Sequence, residues 1–389
     1  MANKARPLTG AEAVAEAMRQ IEPDVVAAYP ITPQTPIVEN FAKYVSDGKV
    51  KTKTITVESE HSALSAVIGS AFTGARSMTA TSSAGLAYMW EILGVASGLR
   101  APIVMPVANR ALSSPLNIHC DHSDTMGAKD MGWMQIFAED AQEAYENTLL
   151  SVRLAEHKDV LTPIMTCMDG FITSHGVENV IIHDDAPAKQ FIGEYKFPFN
   201  LLDYKHPITI GPIELTDYLF ETKRQQVEAM EQVPKILPGV AKELAAITGN
   251  TFDVIEEYHT NDADAIIFTM SSAAGTTKTV VDRMRKEGKK VGLLRLRMFR
   301  PFPYERVAKA LEGKKAVAVL DRSFAFGANA PLFAEVKGAL YNSSSKPKLQ
   351  SYVFGIGGRD LSDFHIEKVF NDLLAGKTSG REDYINLRE

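Results

Sequence analysis

Glu60, in "ESEHSALSAV", puts a carboxylate at the head of an apolar helix pattern, directly after a strand pattern. It could serve a ligand there, or it could simply complement the positive end of the helix dipole. Thr32 sits in "AYPITPQTP", where Pro30, Ile31 and Pro33 make a rigid, extended bend. That bend is a mount for a ligand, or a stiff connector with Thr32 capping the next helix. Arg110 follows an apolar strand in "VANRALSSPLNIHCDHSD", and its guanidinium suits a planar carboxylate, a phosphate or a structural ion pair. Ser83 belongs to "TSSAGL", a small-residue turn that lets a ligand or another backbone come close. His119, Cys120, Asp121 and His122 have metal-binding side chains but are consecutive, without the spacing that makes ligands converge. The expectation for them is a polar loop whose groups satisfy one another or line a pocket.

These residues need elements to position them. Short apolar runs, DVVAA (24–28), KTITV (53–57), SMTATS (77–82), PIVMPV (102–107) and PIMTCM (163–168), alternate with helical patterns and indicate a parallel sheet covered on both faces. In such a sheet ligands gather at the carboxyl ends of strands, which is where the candidates lie. Val14, Ala17, Met18 and Ile21 share one helix face, as do Leu64, Val67, Ile68, Ala71 and Phe72. The pattern dissolves from about 172 to 212 into an arm rich in proline and aromatics, and a polar helix follows around "TDYLFETKRQQVEAMEQVPKI". After residue 260 the strands ADAIIFTM, KVGLLRLRMF, AVAVLD and LQSYVFGI restart the alternation. The expected organisation is α/β, with a first domain over 1–250 and a smaller one of four or five parallel strands over 251–389. In that second part "SSAAGTTKT" lacks phosphate-loop spacing and reads as a helix cap, "GIGGRD" reads as a tight turn, and "RMFRPFP" reads as a rigid domain or subunit contact.

Composition bounds the partners. The chain has 389 residues, 45% of them apolar, and a formal charge of −6, so it carries no cationic excess to neutralise nucleic-acid phosphates. No apolar run reaches membrane-spanning length and the first residues lack the apolar core of a leader, so a cytoplasmic protein is expected. Cys120 and Cys167 are too few for a four-thiolate cluster. Any metal used in redox chemistry is therefore expected on other chains.

The motifs YPITPQTP, ESEHSALSAV, ATSSAGL, VANRALS with DHSD, MDGFITSHG and LRMFRPFP occur in this order between residues 29 and 303. Together they resemble the α subunit of the pyruvate:ferredoxin oxidoreductases, the split-subunit type of the 2-oxoacid:ferredoxin oxidoreductase family. The resemblance implies a pyrimidine-binding thiamine diphosphate domain followed by a transketolase C-terminal-like domain. It also implies oxidative decarboxylation of pyruvate, with the acyl group captured on coenzyme A and electrons passed to ferredoxin. By the same resemblance Glu60 is the carboxylate that hydrogen-bonds the cofactor's aminopyrimidine, Pro30, Ile31 and Ser83 line the cofactor, and Thr32 and Arg110 contact the substrate. Glu58 and His61 match that position less well.

Related thiamine enzymes hold the diphosphate through Mg²⁺ at a Gly-Asp-Gly motif, and this chain has none; Met168-Asp169-Gly170 lacks the first glycine. The resemblance thus implies a β subunit that supplies the Mg site, γ and δ subunits that complete the complex, and [4Fe-4S] clusters in those partners with none in this chain. His61, Ser62 and the loop "SSPLNIHCDHSD" depart from the single-chain relatives, which leaves another 2-oxoacid or oxalate as an alternative substrate. A non-catalytic assembly subunit, or a metal hydrolase built on His119, Cys120 and His122, are readings of other classes. An acid at position 60 favours catalysis over the first.

Overall fold

A computed structural model of the protein describes residues 4–344 and 346–388. The first sheet has seven strands, in the order Met298–Arg300, Met134–Phe137, Ile164–Asp169, Val104–Asn109, Ser77–Met78, Val25–Ala28, Lys53–Thr56. All neighbours are parallel except the first pair, where Met298–Arg300 runs antiparallel to Met134–Phe137. Val104–Asn109 and Ile164–Asp169 are buried at every residue, as expected of strands covered on both faces. The helix Gly10–Ile21 buries Val14, Ala17, Met18 and Ile21, and the helix Glu60–Ala71 buries Leu64, Val67, Ile68 and Ala71. Both faces follow the apolar spacing of the sequence.

A second sheet has six strands, in the order Glu382–Tyr384, Lys348–Val353, Ala316–Asp321, Ala265–Met270, Val291–Leu296, Ile255–Tyr258, of which the last runs antiparallel. The strand Met298–Arg300, from "RMFRPFP", leaves this unit to border the first sheet, so the two units share strand pairing. Their core is continuous as well: Phe137 of one meets Phe299 at 6.5 Å between ring centroids, and Phe299 meets Phe302 at 6.0 Å.

The stretch from 172 is more regular than its composition suggests. It holds a short helix Ile172–His175, the strand Val177–Ile182 and the helix Asp185–Ile192 before an irregular run over 193–218. The strand escapes sequence reading because it pairs antiparallel with Lys4–Thr9 in a two-stranded ribbon and leaves Val177 and Ile181 exposed, so no alternation of buried and exposed apolar residues marks it. After the run comes one helix, Leu219–Thr248, which continues past Pro234 and Pro238 and packs through Val233, Leu237 and Leu244. Among the described residues no helix is long and apolar enough to cross a membrane.

Candidate functional site

Glu60 opens its helix behind the capping residue Ser59, whose hydroxyl accepts from the Ser62 amide at 3.2 Å. The Glu60 side chain is buried, yet among the described residues no donor or cation reaches its carboxylate. The neighbouring wall is Gly85, in the short helix Ser83–Tyr88: a Cβ there would stand 2.7 Å from Glu60 Oε1 and 2.6 Å from Thr81 Oγ1. The Thr81 hydroxyl is itself buried and has no hydrogen-bond partner among the described residues. A carboxylate after the strand Lys53–Thr56 and a hydroxyl after the strand Ser77–Met78 thus face a glycine with polar capacity unspent, where burial without a partner costs free energy. Glu58, by contrast, is exposed and accepts from the Ser62 hydroxyl, and His61 lies on the outer side near Glu91 and Tyr88.

The proline bend and Arg110, far apart in sequence, are brought together. Residues Ile31 to Gln34 close a turn through Gln34 N donating to Ile31 O at 2.8 Å, with Pro30 and Thr32 exposed and Ile31 half-buried. Arg110 Nη1 donates to the Thr32 carbonyl at 2.7 Å and Arg110 Nε to the Asn117 carbonyl at 3.0 Å. Two of the guanidinium's five N–H groups are therefore committed to main chain, and the side chain forms no ion pair with any described carboxylate. Gly170 seals the bend from below, since a Cβ there would stand 2.3 Å from Asn109 O and 2.8 Å from Pro33 Cγ.

Ser83 is placed differently from a residue facing a ligand. Its hydroxyl donates to the Ala111 carbonyl at 2.6 Å and its amide donates to Asp124 Oδ2 at 3.0 Å, both within the protein interior. Asp124 also accepts from the Arg110 amide at 3.0 Å and, through Oδ1, from Asn109 Nδ2 at 2.9 Å. One buried carboxylate therefore ties the turn beside Glu60 to the backbone of Arg110. Burial pushes the Asp124 carboxyl up to about 6 against these donors, which favour its charged form. Thr81 and Gly85 lie in "TSSAGL", and Asn117 and Asp124 in "VANRALSSPLNIHCDHSD", where the sequence singles out none of the four for a task; the small-residue turn is the signal for Gly85.

Behind this site, Asp169 at the end of its strand joins the two units. Its Oδ1 lies 2.7 Å from His122 Nε2, and its Oδ2 accepts from Arg322 Nη1 at 2.9 Å and from the Ser272 amide and hydroxyl. Burial alone would raise this carboxyl, but Arg322 and His122, with Ser272, hold it far below the usual carboxylate range. Ser272 precedes the helix Ala273–Lys286 without capping it, so the "SSAAGTTKT" stretch acts through a cross-unit hydrogen bond instead. Cys120, His122 and Asp169 approach within 4.8 Å of one another. Arg322, buried against Asp169 and 3.6 Å from Cys120 Sγ, stands where a cation would have to sit, and burial keeps the thiol protonated. His119 is elsewhere, exposed and 5.1 Å from the Phe171 ring. The hydrolase ligand set does not assemble.

Residues 16–242 match the family described as pyruvate flavodoxin/ferredoxin oxidoreductase, thiamine diP-bdg, and residues 263–366 match pyruvate:ferredoxin oxidoreductase core domain II. Pyruvate synthase subunit PorA of Thermotoga maritima is 57% identical over 383 residues, covering 98% of this chain and 98% of that one. Pyruvate synthase subunit PorA of Methanocaldococcus jannaschii is 45% identical over 367 residues, covering 94% and 93%. Among solved structures, 2-oxoglutarate:ferredoxin oxidoreductase from Magnetococcus marinus superposes with a TM-score of 0.76 at 19% identity, over 97% of this chain and 66% of that one, a likeness of fold.

Proposed function

The chain belongs to the pyruvate flavodoxin/ferredoxin oxidoreductase family, and from that premise we propose that it is the α-type subunit of a pyruvate:ferredoxin oxidoreductase that builds the pyrimidine side of a thiamine diphosphate site. The observation that carries this reading is the unspent carboxylate of Glu60, buried against the bare Cα of Gly85 and the unpartnered Thr81 hydroxyl. A flat ring with N–H donors fits such a cradle: it slides into space a Cβ would fill and satisfies acceptors the protein leaves open.

When bound, thiamine diphosphate supplies the nucleophilic carbon and the electron sink for removing carbon dioxide from a 2-oxoacid. Glu60 would hold the nitrogen edge of the ring and share a proton there, which would set the ring's tautomer and so its basicity. Pro30 and Ile31 stiffen the bend so that Thr32 meets the substrate at little entropic cost. Arg110, already fixed on two main-chain carbonyls, has its remaining N–H groups for the substrate carboxylate. Decarboxylation disperses that charge, so the clamp favours the ground state at least as much as the transition state. Ser83 shapes the turn beside the cofactor, its hydroxyl spent on Ala111.

The rest of the reaction belongs to other chains. With no Gly-Asp-Gly in the sequence, a β subunit supplies the Mg site. With Cys120 and Cys167 buried as free thiols, the [4Fe-4S] clusters that feed ferredoxin lie in β, γ and δ partners. The irregular run over 193–218, with Tyr204, Ile213, Leu215 and Tyr218 exposed, suits contact with those subunits.

The test is anaerobic, pyruvate-dependent reduction of an electron acceptor by the complex co-expressed from its genomic neighbourhood, with coenzyme A, thiamine diphosphate and Mg²⁺. Glu60→Gln is expected to lower the rate by about 10²–10⁴-fold in a complex that still assembles. Undiminished turnover would remove Glu60 from the site.

A further inference from the structure

Arg110 is aimed by a loop that its own unit scarcely holds. Ala111 N donates to His119 O at 3.0 Å and closes the loop's base, but within 113–118 every residue except Asn117 is exposed. Among the described residues Asn117 also makes all the hydrogen bonds of that segment. Its carbonyl accepts from Arg110 Nε at 3.0 Å, its Oδ1 accepts from the His119 amide at 2.6 Å, and its Nδ2 donates to Gly357 O at 3.2 Å.

Gly357 belongs to the second unit, in the turn Ile356–Gly358 of the "GIGGRD" stretch. That turn grips the loop a second time, through Gly358 N donating to Cys120 O at 2.7 Å. The fit is close enough to exclude side chains. A Cβ at Gly357 would stand 2.5 Å from Asn117 Nδ2, one at Gly358 would stand 2.4 Å from His119 Cβ, and both glycines have φ in the left-handed region, at 62° and 80°.

We propose that this turn sets the aim of Arg110, with Asn117 as the positioning residue that transmits it, so that the second unit tunes substrate affinity without touching substrate. The proposal rests on Arg110 being the carboxylate clamp. A main-chain carbonyl fixed from the far side holds the guanidinium in one pose, and releasing it lets the fork swing away from the substrate at a cost paid on binding.

In the co-expressed complex, Asn117→Ala is expected to raise KM for pyruvate about tenfold with kcat changed by less than about threefold, the split expected when binding geometry alone is lost. Gly357→Ala should do the same. In an Arg110→Ala background, Asn117→Ala is expected to move KM by less than about twofold, because the relay no longer has anything to position. Should Asn117→Ala fail to assemble, Asn117→Asp, which keeps an acceptor for the His119 amide and loses the donor to Gly357, carries the same expectation. A raised KM in Arg110→Ala together with an unchanged KM in the Asn117 variant would overturn the relay alone, as would full additivity in the double variant. An unchanged KM in Arg110→Ala would overturn the clamp beneath it.

Discussion

Glu60 and Gly85 form a pair in which each explains the other: the carboxylate is open because the residue facing it has no Cβ. Gly85→Ala tests that relation. A methyl at 2.7 Å from Oε1 must push the carboxylate away, and displacements of about 1 Å at a reacting group cost about 10²-fold in rate. The same methyl would stand 2.6 Å from the buried Thr81 Oγ1, a local strain offset by the up to about 1 kcal/mol of helix propensity that alanine gains at position 85. The expected result is turnover down by about 10²-fold with a melting temperature close to that of the parent. A variant with parental turnover would show that the cradle is not used.

Among the elements, the junction of the strand Ala316–Asp321 and the helix Pro331–Leu340 carries a titrating group. Asp321 is buried at the strand end and accepts from the amides of Leu332 at 2.7 Å and Phe333 at 3.1 Å, in the helix's first turn. Burial outweighs both donors and pushes its carboxyl up to about 7. An unfolded aspartate ionises near about 3.9, so between about 4 and about 7 the folded chain binds the extra proton. Stability contributed by this group therefore falls as pH rises through that window and is constant above it. Denaturant unfolding of the parent and Asp321→Asn at pH 5 and pH 8 reads the effect: the parent is expected to lose more stability than the variant over that interval. An identical loss in both would assign the pH dependence to other groups.

For the molecule as a whole, the decisive contact is the buried one that Asp169 makes with His122, Arg322 and Ser272, supported by Arg295, which donates to Glu143 at 2.7 Å and 2.8 Å across the same boundary. Asp169→Asn leaves the buried Arg322 without its ion-pair partner and is expected to cost about 3–5 kcal/mol, because breaking a buried ion pair from one side is expensive. Denaturation followed by tryptophan fluorescence and by circular dichroism should then show a lower midpoint, with the two units separating into distinct transitions. An unshifted, single transition would mean that the shared core and the strand Met298–Arg300 suffice to join them.

Most of the elements near the site, and the chemistry they offer, are legible in the sequence, whereas the strand Val177–Ile182 is not. Apolar spacing marks most strands and helix faces, the strand ends carry Thr32, Glu60, Ser83 and Arg110, and the family resemblance, with no Gly-Asp-Gly and only two cysteines present, implies partner chains. These features are local, so periodicity and motif spacing express them directly. Which of those groups meet, and which remain open, depends on the packing of the folded chain. Arg110 and Thr32 are 78 residues apart, Asp169 and Arg322 are 153 apart, and Asn117 and Gly357 are 240 apart. Contacts at such separations follow from strand order and the packing of two sheets, which no window of sequence contains. For the same reason Ser83, promising in its turn, proved to be spent on a carbonyl, and Ser272, an ordinary helix start in the sequence, became part of the bond between the units.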